Sequence, residues 1–485
     1  MAAADYVVDV SRSEIQGVKS NSNRMTMGSL SKDRLSWLVD QGVPATVWGD
    51  GSDKTFDGTL YRDVRSGFLL RASRPWIDGQ MMGPQFVSVP FLNGRTADGP
   101  AFSMLDVQVE SGILETVIRA GMVVVGATVD GGGELRLDEI AVYLGGLTDV
   151  IATPSFVNRV NGVENGEIMP LPSEMTVGSV TVGIERSIRG NAYGMRAENF
   201  RIKLKSTTQR SISWWLEEWV NPLTQLVAFM MQQPTSLNYV TAISNSDHGD
   251  HQHSEEVYVT GAGWPSLDPK SLVPEVKKGS QRREPLIYWE ELSPRLGSAI
   301  REIRKMRRGS SGTWGGTMEC IFRELGPAQR FVTRVQALEA HHVAQNGRFR
   351  PGSVNVDQLL ERLKTKGVNS RDRSKVKKAF GDAGEISYRL DERLTQTAAT
   401  IEATPDLIAR SVRFSSLIDT KWATDIASAR NKISHGADAS DNRWLSEASD
   451  YLQLLTNASI LNRLGFTKKQ ARRAALRHGR REMHW

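Results

Sequence analysis

Near residue 260 the spacing of apolar residues changes from strand-like alternation to helical recurrence, so one kind of layer cannot serve both halves of the chain. Before that point the apolar runs are short: Thr46-Val47-Trp48, Phe68-Leu69-Leu70, Phe86 to Pro90, Met104 to Val109, Met122 to Val129 and Ile202 to Lys205. Asp50-Gly51, Asp57-Gly58, Asn93-Gly94, Asp98-Gly99 and Asp130 to Gly133 punctuate them and predict turns. The pattern predicts a β-rich sandwich or barrel over residues 1–260. Within it, the Trp-rich segment Ser213 to Met231 predicts a helix, and Leu237 to Ile243 and Glu256 to Thr260 predict two further strands.

Residues 261–284 carry Pro265, Pro269, Pro274 and the charged run Lys277 to Arg283, which predicts a linker. From 285 to 485 the spacing is helical: Leu296, Ile300, Ile303 and Met306; Phe331, Val335, Leu338 and Val343; Leu359, Leu360 and Leu363; Trp422, Ile426 and Ile433. Breaks are expected at Gly309 to Gly316, Asn346 to Gly352 and Gly367-Val368-Asn369. The fold class is therefore α+β and multidomain, a β-rich N-terminal domain followed by an all-α bundle.

A chain of 485 residues has room for two or three cores. One cysteine, Cys320, excludes an internal disulfide and a cysteine-based zinc cage, and fits a reducing compartment. Met1 to Val10 lacks a basic segment leading into an apolar run, and Leu223 to Met231 is too short to span a bilayer. A cytoplasmic protein without a membrane partner is expected. The net charge of +6 is unevenly placed: residues 1–300 hold 27 Lys and Arg against 35 Asp and Glu, and 301–485 hold 34 against 20. The helical half thus has the balance of a polyanion binder, or of a basic face that is merely solvated.

The chemistry concentrates in Ala429 to Gly436, where an Arg and a His stand five positions apart with Asn directly after the Arg. Spacing alone is weak, because Arg473 and His478 repeat it in the basic tail. The Arg430-Asn431 dipeptide, the following Gly436 and a helix beginning near Thr420 favour the first copy. At about 100° per residue, positions five apart lie about 140° apart around a straight helix. Arg430 and His435 can cooperate only if the helix ends or distorts at His435, and Gly436 suits a C-terminal cap there.

Arg430-Asn431-x-x-x-His435-Gly436 resembles the Arg-Asn-x-x-x-His signature of the HEPN superfamily, and Leu338-Glu339-Ala340-His341-His342 is similar to a helix of its ApeA-like branch, an anti-phage defence family. Gly58-Thr59-Leu60, Gly67 to Leu70, and Val123 to Ala127 leading to Leu147-Thr148 resemble that branch's β-rich N-terminal domain. The resemblance implies a metal-independent endoribonuclease without a cofactor, acting by abortive infection. Its ribose 2′-hydroxyl attack leaves a 2′,3′-cyclic phosphate, a chemistry closed to DNA. His435 would move the proton, Arg430 would stabilise the phosphate charge, and Asn431 would position its neighbours. RNA is the implied partner, together with a second copy of the chain in a homodimer or higher homo-oligomer, and a phage-derived trigger sensed by the N-terminal domain.

Glu339 reads as an orienting carboxylate and His342 as a second lining residue, since only one of His341 and His342 can face a given site. Lys432, Lys468, Lys469, Arg472, Arg473 and Arg477 are candidates for RNA contact, and Arg371, Arg373, Lys375, Lys377 and Lys378 extend that set. Trp214, Trp215 and Trp219 fit core packing better than base stacking. No metal ligand is assigned, although His248, His251 and His253 keep open a rival reading as a metal-dependent hydrolase. The other rival is a non-catalytic HEPN protein that binds RNA or a nucleotide.

Overall fold

The computed structural model describes most residues from 42 to 479; segments 74–84, 152–173, 262–284 and 408–420 and several shorter loops lie outside the described residues. The linker expected over 261–284 falls almost wholly in one of them.

Strands β1 (Val43–Trp48), β2 (Thr55–Asp63), β3 (Gly67–Ala72), β4 (Gln85–Thr96), β5 (Ala101–Ser111) and β6 (Thr116–Val125) pair antiparallel in the order β3-β2-β1-β4-β5-β6. β3 also pairs with β6, Leu70 opposite Ile118, so the six strands close into a barrel and hide their edges. Alternate residues fill its interior, among them Val47, Leu60, Phe68, Leu70, Phe102 and Met104. This alternation made the runs legible as strands.

Two of the expected turns are interior to strands. Asp57-Gly58 lies in β2 and Asn93-Gly94 in β4. The glycines serve packing: a Cβ on Gly58 would meet the Arg71 carbonyl at 2.5 Å, and one on Gly94 would collide with the ring of Phe102, its cross-strand partner. Asn93 stays because it is buried and bonded; its amide donates to the Val129 carbonyl at 2.9 Å and accepts from Val129 N and Ser103 Oγ. The remaining Asp-Gly pairs lie outside the described residues.

β7 (Arg136–Leu144), β8 (Met175–Val177), β9 (Val180–Gly190), β10 (Arg196–Ser211), β11 (Leu237–Ser246) and β12 (His253–Gly261) extend the sheet from the far half of β6, in the order β12-β11-β7-β10-β9-β8. Helix α1 (Leu147–Ile151) follows β7, and α2 (Ile212–Trp215) continues through a π-helical turn, Leu216–Val220, into α3 (Asn221–Met231). Trp215 and Trp219 are buried, and Trp215 Nε1 donates to the Leu137 carbonyl at 3.0 Å. The guanidinium of Arg210 lies 5.0 Å over Trp214. The tryptophans anchor this helix to the sheet.

The chain divides into two compact units. The β-rich unit includes residues 288–293, which carry the short helix α4 (Trp289–Leu292), and the helical unit includes 228–234, 283–287 and everything from 294 on. The helical unit contains α5 (Leu296–Arg308), α6 (Gly312–Phe322), α7 (Pro327–Asn346), α8 (Val356–Thr365), α9 (Ser370–Phe380), α10 (Leu390–Thr400), α11 (Trp422–Ser434), α12 (Asn442–Arg463) and α13 (Lys468–Gly479), with a two-stranded ladder of β13 (Phe349–Arg350) and β14 (Ile386–Ser387). α7 packs against α6 and α12, burying Phe331, Val335 and Leu338. The break expected over Gly309 to Gly316 stops short, because Gly312 and Gly316 are helical. A Cβ on Gly316 would lie 3.2 Å from Ala337 Cβ, so small residues let α6 cross α7 closely.

Candidate functional site

Helix α7 starts with Pro327 in its first turn and ends before Gly347, whose φ of 77° suits glycine. Its apolar positions face α6 and α12, which leaves Glu339 and, three residues on, His342 on another face. Opposite them α10 presents Arg393 and Gln396, also three apart, and the pairs meet as two rungs. Arg393 Nη1 donates to Glu339 Oε1 at 2.5 Å, and His342 Nε2 lies 2.7 Å from Gln396 Oε1. The His342 ring also meets Tyr388 edge-on at 4.9 Å between centroids.

The second oxygen of Glu339 faces α11, where Arg430 Nη2 lies 3.9 Å away. Arg430 Nη1 donates to Asn431 Oδ1 at 3.1 Å, so the residue after the arginine helps hold its fork. Arg393 is 8 % exposed at its side chain and Arg430 is 29 %; the first is a buried strut and the second is within reach of solvent. Burial holds His342 below the usual imidazole range, Arg393 adds to this, and the Gln396 bond pulls the other way. His341, on the neighbouring face, is pushed down to about 4 by burial and by the charges of Arg463 and His342. Both histidines are therefore neutral at physiological pH.

Helix α11 ends as the motif requires. Ser434 is its last residue, and His435 caps it with φ −99° and ψ 12°. Its backbone N–H reaches the Asn431 carbonyl at 3.1 Å, and Gly436 N reaches the Ile433 carbonyl at 3.0 Å. Gly436 has a φ of 80°. The imidazole is thus carried on an exposed cap rather than on the far side of a continuous helix.

The structure brings together Glu339, His342, Arg430 and Asn431 of the expected site and places His435 at the cap of the same helix as Arg430. It adds Arg393, Gln396 and Tyr388, which sequence reasoning missed. One signal existed for Arg393, a charge at a helical position between Leu390 and Leu394, Thr397 and Ala398, where the other side chains are largely apolar. Lys432, Lys468, Lys469 and Arg473 are exposed. Arg472 is committed to Glu402, through its carbonyl at 2.7 Å and its carboxylate at 3.2 Å.

His248 and His251 lie outside the described residues, as does the side chain of His253. Among the described residues, no group of three or more His, Cys, Asp or Glu side chains is placed to hold a metal ion, and no helix is long and apolar enough to cross a membrane.

Two family models match the chain. The family model described as Apea-like HEPN matches residues 332–470, a stretch containing Glu339, Arg393, Arg430 and His435, and that described as ApeA N-terminal domain 1 matches residues 45–301. The chain matches none of the curated proteins. The N-terminal match alone spans more than half of the chain, its strands form the closed barrel and its extension, and the helical unit carries the second match; the chain belongs to the ApeA-like HEPN family of anti-phage proteins.

Proposed function

We propose that the helical unit is a metal-independent endoribonuclease and that the β-rich N-terminal domain expected over residues 1–260 regulates it in response to a phage-derived trigger. In the reaction a ribose 2′-oxygen attacks the adjacent phosphorus as its proton passes to a base. The P–O5′ bond breaks, the 5′-oxygen takes up a proton, and the products are a 2′,3′-cyclic phosphate and a 5′-hydroxyl. His435 is the proton-transfer group. Arg430 stabilises the added charge on the phosphate oxygens through its planar fork, which Asn431 and Glu339 orient. His342, neutral and tied to Gln396, supports Glu339 from one turn away.

The observation that carries this reading is the position of Arg430. Its guanidinium is bonded to Asn431 and faced by Glu339, it is accessible to solvent, and it sits on the helix whose cap is His435. In a homodimer two such motifs would line one composite cleft, and indiscriminate RNA cleavage would halt an infected cell, the logic of abortive infection.

The test is cleavage of total cellular RNA in EDTA by the wild-type chain, His435→Ala and Arg430→Ala, with analysis of the fragment ends. Cleavage by wild type alone, leaving cyclic phosphate ends, is expected. Undiminished cleavage by His435→Ala sinks the assignment, and RNA binding without cleavage in the presence of a phage lysate supports a non-catalytic HEPN protein instead.

A further inference from the structure

Between α7 and α10 the chain leaves the bundle and returns. β13 and β14 pair at the base of this excursion, Phe349 opposite Ser387 and Arg350 opposite Ile386, and Tyr388 N donates to the Arg348 carbonyl at 3.3 Å. Tyr388 is the residue whose ring meets His342, so the base is tied beside the candidate site. The excursion itself is the helical hairpin α8–α9.

The turn of this hairpin is fixed at both ends. Val368 N bonds the Leu363 carbonyl and Gly367 N the Lys364 carbonyl, each at 3.0 Å, with Gly367 at φ 77°, a Schellman closure of α8. Asn369 then caps α9, its Oδ1 accepting from Asp372 N at 2.8 Å and its Nδ2 donating to Asp372 Oδ2 at 2.9 Å.

Over residues 361–378 this rigid hairpin carries eight Lys and Arg against two acidic residues. Arg371, Lys375 and Lys378 recur at helical spacing and form one exposed stripe along α9. Lys375 pairs with Asp372 at 2.9 Å, whereas Arg371 and Lys378 have no ion-pair partner among the described residues. The helix dipole accounts for Lys377 and Lys378 in the last turn of α9, but a cation in the first turn, where Arg371 sits, opposes it. Helix stability therefore does not explain the stripe. The basic tail helix α13 differs: it buries Ala471, Ala474 and Ala475, and Arg472 is taken up by Glu402.

We propose that the α8–α9 hairpin is the surface that grips the RNA backbone, feeding the strand to the site beside its base; this rests on the nuclease reading above. A pre-organised row of cations neutralises successive phosphates without ordering flexible arms on binding.

The test is binding of a 2′-O-methyl oligoribonucleotide, which lacks the nucleophile and cannot be cut, to the full chain over a series of salt concentrations. The triple variant Arg371→Gln, Lys375→Gln, Lys378→Gln is compared with Lys468→Gln, Lys469→Gln, Arg473→Gln on α13, with circular dichroism to check folding. The α9 variant should lower the slope of log affinity against log salt by about 2, at roughly 0.7 per lost phosphate contact, while the α13 variant keeps it. The charge-keeping variant Arg371→Lys should retain the wild-type slope. An unchanged slope in the α9 variant, or a fall confined to the α13 variant, overturns the proposal. So does the α9 variant's losing attachment to phosphatidylserine vesicles while binding RNA as wild type does, which would make the stripe a membrane contact. Binding through α9 by a chain that never cleaves leaves the surface standing and removes the nuclease; cleavage by a chain whose α9 variant binds normally does the reverse.

Discussion

Glu339 holds the buried Arg393 at 2.5 Å with one carboxylate oxygen and faces Arg430 at 3.9 Å with the other. The two contacts have different characters. The short one compensates a charge removed from water, which is costly to leave unpaired. The long one leaves Arg430 free to turn from the carboxylate to a phosphate without breaking a tight bond. A carboxylate clamped on one side and loose on the other orients a cation and still releases it.

Glu339→Gln should therefore act mainly on stability. Leaving Arg393 without its counter-charge costs about 2 kcal/mol, below the range for a fully buried pair because Glu339 is 32 % exposed at its side chain. Urea unfolding measures it. The double variant Glu339→Gln, Arg393→Met should recover part of the loss, since no unpaired charge then remains; a double variant as unstable as the sum of the singles would show that the pair is not coupled.

Arg430→Lys keeps the charge and removes the planar fork that Asn431 and Glu339 hold. Thermal stability should stay within about 0.5 kcal/mol of wild type, as is usual for a partly exposed side chain. RNA cleavage in EDTA should fall about 100-fold or more, the scale of losing one transition-state donor. Cleavage at the wild-type rate would mean that Arg430 acts as a point charge.

Acid should destabilise the helical unit through His341. Its folded-state value is about 4 against an ordinary 6.5, so between those values the unfolded chain binds more protons than the folded one. Stability from this group is complete above pH 6.5, is lost as pH falls below it, and stops falling near pH 4. The full window corresponds to about 3 kcal/mol. Urea unfolding near pH 7.5 and near pH 5 should show wild type losing about 2 kcal/mol more than His341→Gln. An equal acid loss in both would remove His341 as the cause.

Gly436→Ala tests the cap. Among the described residues nothing lies within 4 Å of the position a Cβ would take, so the cost is that of the φ of 80°, about 1 kcal/mol. Gly436→Asn should cost less, because Asn tolerates the left-handed region. Denaturant midpoints rank the two, and a cleavage loss that follows the same order would tie the orientation of His435 to the cap.

In the barrel, Gly94→Ala should cost about 1–3 kcal/mol, the usual scale of overpacking, because the new methyl meets the buried ring of Phe102. Truncating the ring in the same chain, by Phe102→Leu, should relieve part of the strain. If Gly94→Ala left the unfolding midpoint of the β-rich unit unchanged, the glycine would not be there for the ring.

The alternation in Thr46-Val47-Trp48 and Met104 to Val109 and the recurrence of Leu296, Ile300, Ile303 and Met306 determined strands and helices by themselves, because the side chains that leave water must fall on one face of each element. Gly436 likewise determined where α11 ends, a local matter of hydrogen bonds and one left-handed residue. What depends on residues distant along the chain was decided by the tertiary structure. Asp57-Gly58 and Asn93-Gly94 read as turns, yet they stand inside strands because the Arg71 carbonyl and the Phe102 ring take the space of their absent side chains. The spacing of residues along the chain did not single out Arg393. Arg393 is a strut of the site because α10 lies against α7, bringing its guanidinium onto a carboxylate that stands 54 positions earlier. Local spacing fixes which face a side chain takes; only packing fixes what it meets there.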